Sequence, residues 1–480
     1  MNTGLSNTIK ELFSSTTGKI GLTLFSGMVV ISFWAILSNP LDFGTTLWNN
    51  PQAWADNPKN VPPTWSKIFT NSPPVDHMVL TLSEPTGTLE TTRGTEKEFS
   101  FDINYSFDDQ PSFTSLTIQD VEFAAKPPTL VLTIARPDGK ILKVYRYAVP
   151  GAREGEVQPM HRHRDKPFRV FLTGDPSVAS YLSQFLYRDF SFRISDKELT
   201  GRADEIIFGT PNENLDGNFL PLKGQYTITL VARMQDSGDS IGKVQIAIGG
   251  SHFGLMGTDS NGRDLARGLI FGFPIALIIG LTTALTATAI GTSMGIISGY
   301  TGGKTDICIQ RFCDLLTNIP LLPILLFLAF ILGQKLWIVM LVLVIFGWPG
   351  LAIVIRSMVL QLRSGQLVEA TTALGASRWR IMLRHIFPQI APFVFAQMIF
   401  FTPAAILAEA GLSFLGLGDP SVPTWGQILD QGFRTGAVYV GYWWWVLPPG
   451  ILIVITALTF VLIAMAMESV VDPRLRGIRN

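Results

Sequence analysis

The chain has 480 residues, 47% of them hydrophobic and only 15% charged, where a soluble protein carries about a quarter charged. Its 37 Lys+Arg balance 37 Asp+Glu, which excludes the basic excess of a nucleic-acid binder, and its two cysteines exclude a disulfide-built scaffold and the usual zinc modules. A mean hydropathy of +0.31 is too high for an ordinary soluble enzyme and too low for a chain that is all membrane. Two unlike parts are being averaged. From residue 253 onward there are 14 Lys+Arg and 10 Asp+Glu, which leaves 23 and 27 before it.

A bilayer core of about 30 Å needs about 20 apolar residues in a helix. The first run of that kind is Ile20–Leu37, preceded by Lys10 and Lys19. It is longer than a signal-peptide h-region and no A-x-A site follows it, so it reads as a retained anchor. Five more runs lie in the second half: Leu269–Ile297, Leu315–Leu332, Leu336–Ile355, Ile390–Leu407 and Leu447–Met467. Pro274, Pro320, Pro323 and Pro403 fall inside or at the ends of these runs, as membrane helices tolerate. Six runs so poor in charge argue against the buried helices of a soluble protein.

The roughly 220 residues between the first two runs read as β. Phe99, Phe101, Ile103, Tyr105 and Phe107 alternate with polar neighbours, the period of a half-buried strand. Leu130, Leu132 and Ile134 lead through the turn sequence Pro137-Asp138-Gly139 into a strand at Ile141–Tyr147. Alternation recurs at Tyr226, Ile228, Leu230 and Ala232, and again at Val244, Ile246 and Ile248. Ser177–Arg188 reads as a helix capped by Asp175 or Ser177. One β-sandwich with inserted loops, or two small ones, accounts for this spacing. Asn39–Pro74, rich in Pro, Trp and Asn, reads as an irregular arm or linker.

Charge orients the spans. The segment between the fourth and fifth runs carries Arg356, Arg363, Arg378, Arg380 and Arg384 against Glu369 alone, and the tail adds Arg474, Arg476 and Arg479. After the fifth run there is only Arg434 against Glu409, Asp419 and Asp430. The positive-inside rule therefore puts both ends of the chain inside and the β part, up to about residue 265, outside.

The inner segment Val368-Glu369-Ala370-Thr371-Thr372-Ala373-Leu374-Gly375-Ala376-Ser377 has the build of a helix-turn-helix. Gly375 can take the left-handed turn and Ser377 can cap the second helix, expected over Arg378–Phe387 with its end at Pro388. A small apolar tip with a basic flank suits docking into a groove of a partner. The competing physical reading is an amphipathic helix lying on anionic lipid.

Glu369-Ala370 with Gly375, His385 and Pro388 resembles the EAA loop of ATP-binding-cassette importer permeases. Gly257-Thr258-Asp259-Ser260-Asn261-Gly262-Arg263-Asp264 resembles the GTDxxGRD signature of the oligopeptide/dipeptide/nickel permeases of the OppC/DppC type. Gly299-Tyr300-Thr301-Gly302-Gly303 with Asp306, Glu409-Ala410-Gly411-Leu412-Ser413-Phe414-Leu415-Gly416-Leu417-Gly418, Pro423-Thr424-Trp425-Gly426 and Asp472-Pro473-Arg474-Leu475-Arg476 are similar to that family in order. The resemblance covers about residues 250–480. It departs at Thr371-Thr372, where the family often has alanine and a basic residue, and in the whole domain that replaces a short external segment.

The resemblance implies a polytopic α-helical membrane protein with six transmembrane helices of the type I importer permease kind; the β-rich external domain inserted after the first helix, read as a β-sandwich, comes from the alternation alone. Residues 1–19 would be a cytoplasmic N-terminus, 20–37 the first span, 38–250 the external domain, and 251–480 the permease domain with a coupling loop at 362–388. Glu369, Ala370, Ala373, Leu374, Gly375, Ala376, Ser377 and Arg378 would form the ATPase-coupling segment. Thr258, Asp259, Gly262, Arg263 and Asp264 would form an outer-mouth motif, as a structural latch or a contact for ligand or receptor. The implied partners are a second permease, two cytoplasmic ATPase subunits that bind ATP and Mg, and an external substrate-binding protein in a prokaryotic cell membrane. The chain itself would bind no cofactor. Peptides are the default cargo, with nickel complexes or oligosaccharides as alternatives. A membrane-anchored receptor or sensor, and a transporter or channel needing no ATP, are the rival classes.

Other signals are weaker. Gly303-Lys304-Thr305 lacks the first glycine of a P-loop, since position 298 is Ser, and a membrane helix precedes it where a strand is required. No hydrolytic set and no metal set is legible, and no nucleic-acid partner is expected. His161-Arg162-His163-Arg164 reads as a solvated basic loop, Cys308 and Cys313 as packing thiols, and Trp443-Trp444-Trp445 as an interfacial belt. Glu409, near the outer end of the fifth run, is a candidate pathway residue or a side chain reaching the interface.

Overall fold

The computed structural model describes residues 15–40, 42–70, 73–92, 94–212 and 217–471. The motif at Asp472–Arg476, the tail arginines and Lys10 lie outside the described residues. Two compact units result: Pro51–Asp264, and the described residues up to Asn50 together with those from Leu265 onward. The boundaries expected at residues 38 and 250 thus move to 50 and 264.

The first helix, α1 (Thr16–Ser38), is capped by Ser15, whose side chain accepts from the Gly18 amide. The β-rich unit then carries β1 (Met78–Leu82), β2 (Gly87–Thr91), β3 (Gly94–Tyr105), β4 (Thr114–Phe123), β5 (Thr129–Ala135), β6 (Ile141–Ala148), β7 (Met160–Arg162) and β8 (Phe168–Phe171). Next come α2 (Pro176–Phe190), the short pair β9 (Gly209–Pro211) and β10 (Phe219–Pro221), then β11 (Gly224–Met234) and β12 (Ser240–Ile248). One antiparallel sheet runs β1-β12-β4-β7 with β8 also on β4, and a second runs β2-β3-β11-β5-β6. Both contribute to one hydrophobic core, with Phe99, Phe101 and Ile103 from β3 and Leu116 and Ile118 from β4 in the same cluster. Helix α2, capped by Asp175, adds Val178, Leu182 and Leu186 to that core. Phe107 falls beyond the end of β3 and packs on the core from outside.

The membrane unit continues with α3 (Leu265–Thr301), α4 (Gly303–Asn318), α5 (Leu321–Leu332), α6 (Leu336–Arg363), α7 (Gln366–Ala373), α8 (Phe387–Phe414), α9 (Trp425–Arg434) and α10 (Trp443–Val471). Five helical stretches among the described residues are long and apolar enough to cross a bilayer: α1, α3, α6, Arg378–Phe414 and Trp443–Met467. The expected straight span Leu315–Leu332 is instead a pair, α4 and α5, bent by 80°. Ile319 sits in the extended region (φ −82°, ψ 125°) ahead of Pro320, because the proline ring disfavours the α conformation in the residue before it.

α3 is the hub of the unit. Its Gly291, Gly295 and Gly299 lie against the carbonyl oxygens of Trp348, Ala352 and Arg356 on α6, where an added Cβ would come within 2.7–2.8 Å. Backbones this close need small residues at every fourth position of the seam, as in other membrane helix pairs. Elsewhere α1 packs on α10 through the edge-on pair Phe25–Phe460, with ring centroids 5.7 Å apart.

Candidate functional site

α7 is held by a single buried side chain. Val368 is 4% exposed and joins Ile355 and Val359 of α6 and Ile381, Met382 and Ile386 in one cluster. Glu369, Ala370, Ala373 and Leu374 all face outward, and Leu374 is 87% exposed. The helix ends in a Schellman turn: the Gly375 amide donates to the Thr372 carbonyl at 2.9 Å, and the Ala376 amide to the Thr371 carbonyl at 3.1 Å. Gly375 has φ +76°, a conformation that L side chains rarely adopt. Ser377 then caps the next turn through its Oγ, which accepts from the Arg380 amide at 3.4 Å. The result is an exposed apolar tip on a closed backbone turn, beside a cleft of about 590 Å³ lined by Tyr300, Arg363, Glu369, Thr372 and Arg378.

Beyond the tip, the expected helix Arg378–Phe387 does not stop at Pro388. A turn at Arg378–Ile381 passes into a π turn, Met382–Ile386, and then directly into α8 with the proline in its first turn. There a missing amide costs least, and the widened turn absorbs the change in register.

Arg356 was expected in the inner loop but lies inside α6, where it holds Asp306 of α4 through two parallel hydrogen bonds of 2.5 and 2.6 Å. Ser298 of α3 donates to the same carboxylate, and Gln310 of α4 donates to Ser298 at 3.0 Å. Three helices therefore meet at one ion pair. The sequence did contain a signal, one acid and one base at the same end of two apolar runs.

The GTD segment lies within the β-rich unit, where it clasps residues 57–65. The Thr258 amide donates to the Val61 carbonyl at 2.9 Å, the Val61 amide donates to Thr258 Oγ1 at 3.2 Å, and Asn57 Nδ2 donates to the Gly262 carbonyl at 2.9 Å. Asp259 is fully buried; its Oδ1 accepts from the amides of Asn261 (2.8 Å) and Arg263 (2.9 Å), and its Oδ2 from Arg263 Nε. Gly262 has φ +78° and packs against the Trp54 and Asn57 carbonyls, while Thr258 and Asp264 form an isolated bridge. Residues 51–70, read as an irregular arm, are thus tied to the end of the domain in short helical turns.

Glu409 is 4% exposed and accepts from Ser413 Oγ at 2.6 Å and from the Thr424 side chain. It joins α8 to the residue that caps α9. The neighbouring Trp425 donates from Nε1 to the Leu269 carbonyl of α3 at 2.9 Å. The tryptophan run is also less exposed than a belt requires: Trp445 is 1% exposed and donates to the Ile428 carbonyl at 3.1 Å, and Trp444 is 7% exposed. In the β-rich unit Arg162 is buried and paired with Glu156, His161 meets Asp120 at 3.1 Å, and His163 Nε2 meets Tyr147 Oη at 2.8 Å. The stretch is therefore not a solvated loop.

Residues 291–477 match the family described as the binding-protein-dependent transport system inner membrane component. The dipeptide transport system permease DppC of Bacillus subtilis is 33% identical over 221 residues, covering 46% of this chain and 68% of that protein. The oligopeptide transport system permease OppC of Haemophilus influenzae is 34% identical over 226 residues, covering 47% and 71%. A peptidoglycan transport system permease, YejE of Agrobacterium fabrum, is 33% identical over 178 residues, covering 37% and 47%. A solved methionine ABC transporter in an inward-facing conformation aligns with 45% of this chain and 96% of its own at 21% identity, with a TM-score of 0.35. The chain is a multi-pass membrane protein of the permease class of ATP-binding-cassette importers. It belongs to the family of binding-protein-dependent transport system inner membrane components.

Proposed function

We propose that the chain forms a passage for di- or oligopeptides with a second permease, and that residues 366–378 pass the closure of a cytoplasmic ATPase to the membrane helices. The observation that carries this is the tip itself: Leu374 at 87% exposure on a turn closed by Gly375 and held to the unit by Val368. An exposed leucine on a rigid turn is unfavourable in water and suited to a partner's groove. Force applied there reaches α6 and α8 through the Val368 cluster, and α3 and α4 through the glycine seam and the Asp306–Arg356 pair. The helices then move as packed bodies, which is how a small displacement at a tip becomes a change of access.

In this reading the bent pair α4–α5 counts as the sixth span, both chain ends are cytoplasmic, and residues 51–264 lie outside as a β-sandwich of the two sheets. ATP and Mg belong to two partner ATPase subunits; this chain has no site of its own for them. An external binding protein delivers cargo, and the β-rich domain serves receptor docking or caps the passage. The names of the relatives support peptide cargo, and the peptidoglycan transport permease among them adds peptidoglycan to the range worth assaying.

The test is purification of the chain in mild detergent, with mass spectrometry of what accompanies it and an ATPase assay. A second permease and two ATPase chains are expected. A lone chain, stable and without ATPase activity, would contradict the reading and favour a receptor.

A further inference from the structure

We propose that a cavity of about 330 Å³ between α3 and α8 is a cargo subsite that takes a peptide amide flanked by apolar side chains. This rests on the importer reading above and goes beyond it by naming the residues that meet the cargo. The walls include Leu285 and Ile296 from α3, Phe395 and Met398 from α8, and Met382 from the π turn. Thr288, Thr292 and Ser293 bring hydroxyls to the same cavity, and no charged side chain lines it. A volume near the lower end of small-molecule sites, about 300–1000 Å³, suits a fragment of a short peptide.

Thr292 decides the chemistry. It is 5% exposed, and its Oγ1 has no hydrogen-bond partner among the described residues. Ser293 and Thr402 on these two helices bond the carbonyl four residues back, to Ala289 at 2.8 Å and to Met398 at 3.1 Å, while Thr283 of α3, likewise unpaired, does not line the cavity. A buried hydroxyl left unpaired is costly, and a ligand that pairs it gains by doing so. A lipid acyl chain has nothing to offer that oxygen. An amide offers both a donor and an acceptor, and the uncharged walls favour the neutral middle of a peptide over its ends.

The cavity also adjoins the docking segment. Trp379, Met382 and Leu383, which line one side, belong to the stretch that follows the exposed tip directly. Movement of the tip therefore reshapes the subsite, so that binding and release follow the ATPase cycle.

The experiment uses the complete transporter in phospholipid nanodiscs, with Ala289→p-benzoylphenylalanine on the cavity lining and radiolabelled trileucine as the probe. Saturable crosslinking of radiolabelled trileucine to the chain is expected, competed by unlabelled peptide. Adding Thr292→Val, which keeps shape and removes the hydroxyl, should reduce the crosslinking about fivefold or more without lowering the unfolding temperature; Thr292→Ser should retain it. Crosslinks to phospholipid alone, found by mass spectrometry, or crosslinking of trileucine unchanged by Thr292→Val, would overturn the proposal. Stimulation of ATP hydrolysis by peptide with its binding protein, measured on the unsubstituted complex, reports on the importer reading separately. Crosslinking of trileucine without stimulation would keep the subsite and remove that reading.

Discussion

Arg356 on α6 donates from Nε and Nη2 to the two carboxylate oxygens of Asp306 on α4, and Ser298 of α3 donates to one of them. The pair sits at the end of the glycine seam, since the Arg356 carbonyl is the oxygen against which Gly299 packs. A planar guanidinium in this two-point geometry fixes angle as well as distance. With side chains 30% and 15% exposed, loss of either partner should cost on the order of 1–2 kcal/mol, below the value for a fully buried pair. Arg356→Gln and Asp306→Asn should each lower the unfolding temperature in detergent, and the double variant should lose less than the sum. Strict additivity would show that the two do not act together.

The seam makes a sharper contrast. At Gly295 an added Cβ would stand 2.7 Å from the Ala352 carbonyl, whereas at Gly350 on the same pair of helices nothing lies within 4 Å. Gly295→Ala should destabilise by about 1–3 kcal/mol through overpacking. Gly350→Ala should be neutral or stabilise by up to about 1 kcal/mol, as in other helix interiors. Equal unfolding temperatures for the two variants would refute the close approach.

Asp204 gives the β-rich unit a dependence on pH. It is buried, accepts from Thr114 and Thr173, and burial pushes its pKa up to about 6 despite those bonds. A carboxyl whose folded pKa is raised contributes stability that is complete below about pH 4 and is lost as pH rises through 6. About two units correspond to a loss on the order of 2–3 kcal/mol. Hydrogen exchange of β4 in the whole chain, corrected for the intrinsic rate, should show greater protection at pH 4.5 than at pH 7. Asp204→Asn should flatten that difference; a slope unchanged in the variant would place the titration elsewhere.

What the sequence disclosed follows from how each element is buried. β3, β5 and β11 alternate because one face is wet, and they were legible. β4 was not, because Thr114 through Ile118 are all buried and leave no period to read. The bend between α4 and α5 was signalled by Pro320, yet apolarity on both sides of it read as one span. At the docking tip, Gly375 and Ser377 announced a turn and a cap because those roles depend on local backbone chemistry. Arg356 was counted as a topological charge, since its partner stands 50 residues away and only the packed helices bring them together. The partner of Glu409 is hidden for the same reason: Thr424, in the cap of α9, lies beyond any local pattern.

The central claim is that the turn closed by Gly375 transmits ATPase closure to the helices. Gly375→Pro removes the amide that bonds Thr372 and forbids the observed φ of +76°. The decisive measurement is cargo-stimulated ATP hydrolysis, with uptake, in liposomes holding the complete transporter with this substitution, after size exclusion has established assembly. The account predicts an assembled complex in which stimulation and uptake are lost together. Stimulated hydrolysis and uptake at the rates of the unsubstituted complex would contradict it.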